Sequence, residues 1–141
     1  VPQPLREKSH RWPLSLVGEN GPELLSFEIM GLGEAAPRKA GIFIYARRRA
    51  NEWQALYVGE SADLSARLAF NEIAADALLS GATDIHILRT TAEPADRRAL
   101  ADRLILTNNP LLNEEERTRL SGLAGDGPKL ATKIKGSTRA A

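Results

Sequence analysis

The sequence predicts an α+β domain, a small three-stranded sheet of antiparallel type flanked by helices, in the order β-β-α-α-β-α. Three observations lead there. Residues 41–46 and 53–58 are short apolar runs rich in β-forming side chains, and polar residues 47–52 join them, which is the pattern of a hairpin. Ile85-His86-Ile87-Leu88 is a third such run, set between segments with helical spacing. At 141 residues and 43% apolar content, the chain can bury one core without staples. It has no cysteine, so disulfides and zinc–thiolate sites are excluded.

Taken in order, residues 1–10 are polar and proline-bearing and read as a loose terminus. Leu14-Ser15-Leu16-Val17 alternates weakly, and Gly18-Glu19-Asn20-Gly21-Pro22 is a turn cluster. Residues 24–30 fit a returning strand or a short helix, and residues 31–39 read as a linker. Residues 1–39 are therefore expected to be an extension that augments a domain at 40–121. Gly59 breaks the second strand, and Ser61 or Asp63 caps a helix carrying Leu64, Leu68 and Ile73. A second helical segment ends near Ser80-Gly81. Thr90-Thr91-Ala92-Glu93-Pro94 has a capping-box pattern with proline near the first turn. The helix it opens runs to about Thr107, where Asn108-Asn109-Pro110 stops it. Asn113 and the three glutamates after it open a last short helix. Glycine, serine and charge dominate residues 122–141, which predicts a disordered basic tail.

Net charge is +1, so the whole chain is no strong polyanion trap. Its distribution is uneven. Arg38, Lys39, Arg47, Arg48, Arg49 and Arg67 gather around the central segments, and Lys129, Lys133, Lys135 and Arg139 lie in the tail. Local basic surface is what contact with phosphate requires. Arg47-Arg48-Arg49 also fits a solvated hairpin turn. No apolar run approaches the ~18 residues of a membrane helix, and VPQPLREKSH lacks the apolar segment of a signal peptide. A cytoplasmic location and no membrane partner are the expectation.

One stretch carries chemistry. Gly41-Ile42-Phe43 opens the first strand, Tyr57-Val58-Gly59 closes the second, Ser61 follows, and Arg67 lies on the next helix. That order resembles the GIY-YIG nuclease family, over roughly residues 40–115. The resemblance implies an endonuclease domain that hydrolyses DNA phosphodiesters with Mg²⁺ or Mn²⁺, RNA being the alternative substrate. It implies Tyr57 as the active-centre phenol, proposed in the family as a general base, and Arg67 as the contact to the scissile phosphate. Asn113, after Pro110, is implied as a support of the site. A phenol with a pKa near ~10 is a poor base at neutral pH unless a cation lowers it. Arginine suits phosphate because its fork of donors stays charged. Gly59 is expected to give the backbone a tight turn or a positive φ, and Ser61 to cap or to touch phosphate. Arg47 and Arg48 are candidate phosphate contacts. His86 is a candidate on the sheet face near the site, against the commoner reading of a structural histidine.

Two positions depart from the family pattern. Phe43 stands where the first motif has tyrosine, so a hydroxyl is lost; Tyr45, two residues on, points to the same face. Counting twelve residues back from Asn113 gives Ala101, where the family places its metal-ligating glutamate. Asp102 is one helical step away, rotated by about 100°. Loss of that carboxylate predicts a rate defect on the order of a hundredfold or more. Three functions follow: an impaired endonuclease, a nucleic-acid-binding module derived from one, or a protein-interaction domain.

Overall fold

Five strands make up the sheet of the computed structural model, which describes residues 7–125. They are β1 (Ser9–Ser15), β2 (Glu23–Gly31), β3 (Gly41–Arg49), β4 (Glu52–Ser61) and β5 (Asp84–Arg89). Their order is β1-β2-β5-β3-β4, and every neighbouring pair is antiparallel. The architecture is α+β, and the expected three-stranded sheet, β3, β4 and β5, is widened by the β1–β2 hairpin. The reason is burial. Trp12, Leu14, Phe27 and Met30 of that hairpin are buried, and β2 pairs along β5, which would otherwise be a bare apolar edge. Residues 24–30, left open between strand and helix, are strand, and Ser9 and His10 of the supposed loose terminus belong to β1.

Both faces of the sheet are covered, which is why residues 41–46 of β3 are all buried and nearly all apolar rather than alternating. On one face Ile42, Ile44 and Val58 pack with Trp12, Phe27, and Leu104 and Ile105 of α3 (Pro94–Asn108). On the other, Phe43, Tyr45, Tyr57, Ile85 and Ile87 pack under Leu64 of α1 (Leu64–Ala69) and Ala77 of α2 (Ala74–Leu79). A 3₁₀ turn, Leu111–Asn113, then leads into α4 (Glu114–Gly125).

One irregularity decides which residues share a face. Tyr45 pairs with Tyr57, but the next residue, Ala46, pairs with Ala55, so Leu56 is an extra residue in β4. Such a bulge reverses the alternation of the strand beyond it. Trp53 and Ala55 lie on the α3 face, whereas Tyr57 lies with Phe43 and Tyr45 on the α1–α2 face.

Local signals hold in most places. Asp63 is the N-cap of α1, its Oδ1 accepting from the Ala66 N–H at 3.4 Å. Asn109, in the left-handed region at φ 49°, ends α3 before Pro110. The capping box does not form: Glu93 occupies the N-cap position without a side-chain cap bond, and Thr90 Oγ1 instead accepts from the Ala92 N–H at 3.1 Å. Pro94 opens the helix because its missing N–H is not needed there. α4 continues through Gly122 to Gly125, past the point where disorder was expected; the rest of that tail, with Lys129, Lys133, Lys135 and Arg139, lies outside the described residues. Among the described residues, no helix is long and apolar enough to cross a membrane.

His86 is fully buried on the α3 face, where Trp12 Nε1 donates to its Nδ1 at 2.9 Å. That bond fixes the neutral tautomer with the proton on Nε2. Desolvation, with a smaller contribution from His10, pushes the His86 pKa from 6.5 down to about 3. The unfolded chain binds this proton first, so stability is full above pH ~6.5 and falls as pH drops toward 3, by at most about 1.4 kcal/mol per unit. Urea melts at pH 7.5 and 4.5 check this: the chain loses stability at the lower pH, and His86→Phe loses less.

Candidate functional site

The residues of the two motifs meet on the α1–α2 face. Tyr45 is directly opposite Tyr57, and Phe43 is opposite Gly59. The Phe43 ring lies 6.1 Å from that of Tyr45, edge to face, and 6.0 Å from that of Tyr57. Gly59 allows this in a way the sequence did not indicate. Its φ is not positive and it does not end β4, which runs on to Ser61. A Cβ at position 59 would stand 2.4 Å from Phe43 Cζ and 3.0 Å from Tyr57 Cε2. Glycine is needed so that an aromatic ring can lie across the strand. Gly41 is equally confined, since its Cβ would stand 2.3 Å from the Leu88 carbonyl oxygen.

Arg67 projects from α1 onto this aromatic floor. Its guanidinium sits 5.7 Å from the Phe43 ring centroid and near enough to the Tyr57 phenol to act on its pKa. Phe43 thus keeps a role without the hydroxyl, as the face on which the cation rests. Arg67 is half-buried and has no carboxylate partner among the described residues. Asn71, one turn further on, donates from Nδ2 to Tyr45 Oη at 3.3 Å. It stands four positions after Arg67 and is a further residue of this site.

Both phenols are harder to ionise than a free tyrosine. Burial raises the Tyr57 pKa and the Glu116 carboxylate raises it further, outweighing the opposing effects of Arg67 and Arg98. Burial likewise raises Tyr45, against the Asn71 hydrogen bond and Arg67. The nearby cation therefore does not turn Tyr57 into a base at neutral pH. At neutral pH Tyr57 is a hydrogen-bond donor.

The edge of β4 beside Tyr57 is closed by Asn113. Val58 N–H donates to Asn113 Oδ1 at 2.7 Å, and Asn113 Nδ2 donates to Val58 O at 3.0 Å and to Glu116 Oε2 at 3.3 Å. One fully buried amide thus replaces a neighbouring strand and orients Glu116. Glu116, Glu72 and Arg119 share with Tyr57 an open groove of about 410 Å³. None of these three stood out in the sequence; the only signal was the position of Glu116 three residues after Asn113.

Position 101 does not open on this groove. Ala101 is fully buried between α3 and the sheet, with Val58, Ile42 and Leu104. The α3 cation whose charge reaches Tyr57 is Arg98, held by Asp102 at 3.0 Å. Asp102 is thus engaged elsewhere. An alanine supplies no metal ligand, and among the described residues no group of three or more histidine, aspartate and glutamate side chains is placed to hold a metal ion. At position 101 the residue present does not fit the metal-ligating role that the resemblance implies there.

The remaining candidates are not brought to the site. Ser61 Oγ accepts from the Asp63 N–H and donates to Asp63 O, both at 3.0 Å, so it serves the turn before α1. Arg47 reaches the end of α2, donating to Ser80 O at 3.4 Å. Arg48 points to the opposite face, paired with Glu7 and stacked on Trp53 at 5.3 Å. The basic turn is therefore not one patch. His86 lies across the sheet from Tyr57 and is buried.

Comparison of the chain with family models, curated proteins and solved structures gives no match.

Two substitutions test this geometry. Gly59→Ala forces the Phe43 ring to move and is expected to cost about 1–3 kcal/mol by overpacking; adding Phe43→Leu recovers part of it, as a denaturant double-mutant cycle would show. Asn113→Ala leaves two Val58 backbone groups unpaired and is expected to cost about 2–4 kcal/mol in the same measurement.

Proposed function

We propose that this chain is a GIY-YIG-type endonuclease domain that engages the phosphodiester backbone of DNA and whose hydrolysis is impaired by alanine at position 101. One observation carries the reading. Arg67 lies over the Phe43 ring, near the Tyr57 phenol, with no carboxylate partner among the described residues. By contrast Arg89, Arg97, Arg98 and Arg103 each pair with a carboxylate. A half-buried guanidinium without a counterion is ready to accept an external anion, and a phosphate matches its fork. Tyr57 Oη, protonated at neutral pH, donates to a second phosphate oxygen. The same protonation supports binding over cleavage, because water activation needs a base that Tyr57 does not provide.

The test is duplex DNA binding by fluorescence anisotropy across salt concentrations, with plasmid nicking followed in Mg²⁺ and in Mn²⁺. Binding that weakens with salt is expected, with nicking at or near background. Arg67→Ala should weaken binding about tenfold or more and reduce the salt slope by about one. Equal binding by Arg67→Ala would remove the phosphate role of Arg67, and rapid nicking by the unaltered chain would contradict the impaired state.

A further inference from the structure

Phe70 differs from every other aromatic side chain among the described residues. Trp12, Phe27, Phe43, Tyr45 and Tyr57 are buried and Trp53 is half-buried, but Phe70 is 88% exposed. Its place in the chain explains why. It is the C-cap of α1, two residues past Leu68, which packs against the sheet. Two helical steps turn a side chain by about 200°, so Phe70 points away from the core. Three steps from Arg67 leave it only about 60° from that arginine, and side chains three apart on a helix are neighbours. The ring and the guanidinium therefore share one side of α1. The turn that carries the ring is anchored. Asn71 Oδ1 accepts from the Ile73 N–H at 3.0 Å, Asn71 O accepts from the Ala74 N–H at 3.1 Å, and Asn71 Nδ2 ties the turn to Tyr45 Oη at 3.3 Å.

A bare ring on an anchored turn is a surface for a partner, and the neighbouring cation narrows the partner's chemistry. An apolar protein surface laid over Phe70 would also press on Arg67, whose charge has no counterion among the described residues, and would desolvate it. A nucleic-acid strand instead brings a phosphate to the guanidinium and the apolar face of a base to the ring. Apolar side chains act on DNA in this way by entering between two base pairs, at the energetic cost of unstacking them. That cost is smallest where the stack is already broken, at a missing or mismatched base. We propose that Phe70 is a wedge that enters an unstacked base step beside the phosphate held by Arg67, so that the chain selects interrupted DNA over intact duplex. The proposal rests on the nucleic-acid reading of Arg67 and adds to it the class of DNA that is bound.

Fluorescence anisotropy tests the wedge with two labelled probes, a short blunt DNA duplex and the same duplex lacking one nucleotide from the middle of one strand. The unaltered chain is compared with Phe70→Ala and Phe70→Trp, whose altered side chain lies outside the core. The unaltered chain and Phe70→Trp are expected to bind the gapped duplex about fivefold or more tightly than the intact one. Phe70→Ala is expected to bind both alike, near the affinity of the unaltered chain for the intact duplex. Equal binding of the two probes by the unaltered chain, or a preference that survives in Phe70→Ala, would overturn the wedge. Binding of neither probe would instead remove the nucleic-acid reading of Arg67, and the wedge with it. Self-association of the chain that Phe70→Ala abolishes, followed by sedimentation velocity, would assign the ring to a second copy and also overturn the proposal.

Discussion

The extra residue in β4 is the constraint on which the rest of the molecule depends. Leu56 has no partner of its own on β3, and the alternation of the strand reverses there. Without it, Trp53, Ala55 and Tyr57 would all point to the α3 face. With it, Trp53 stays with Trp12 and His86, and Tyr57 crosses to join Phe43, Tyr45 and Arg67. Leu56 is itself fully buried, so apolar contact holds the irregularity in place. Two surfaces of different chemistry thus arise from one hairpin, a cationic phenolic face on one side and a tryptophan–histidine cluster on the other.

Electrostatics give the two sides different characters. Around Tyr57 an arginine without an acidic partner among the described residues lies beside a phenol that stays protonated at neutral pH, which favours holding an anion over extracting a proton. On the opposite face several polar groups are tied into structure. Arg97 pairs with Glu60 at 2.7 Å, and His86 is neutral under Trp12. Ala101 belongs to that packed side, where its small side chain lets α3 sit close to Val58 and Ile42.

Much of this was legible in the residues. The apolar runs indicated β3, β4 and β5, Ser61 or Asp63 marked the start of α1, and Asn108-Asn109-Pro110 marked the end of α3, because each signal is local. The β1–β2 hairpin was only half legible, since β1 carries Pro13 and a weak alternation and is strand chiefly because Trp12 and Leu14 find partners across the sheet. Tyr57, Arg67 and Tyr45 were readable as candidates from motif order. Their convergence with Asn71 was not, because it depends on the bulge and on the close approach that Gly59 permits. His86 was correctly set opposite its flanking isoleucines, but which face held the candidate site required the whole sheet. Arg47 and Arg48 were both read as candidate phosphate contacts, but adjacent strand residues point to opposite faces, so the two side chains do not share a surface.

The most direct measurement of the central claim is ¹⁵N NMR of the chain, including arginine Nε–H signals, during titration with a short blunt DNA duplex. The account predicts that the Arg67 side-chain signal and the amides of residues 57–63 shift together and saturate together, while the amides around His86 stay in place. Shifts distributed over other surfaces, with the Arg67 signal unmoved, would contradict it.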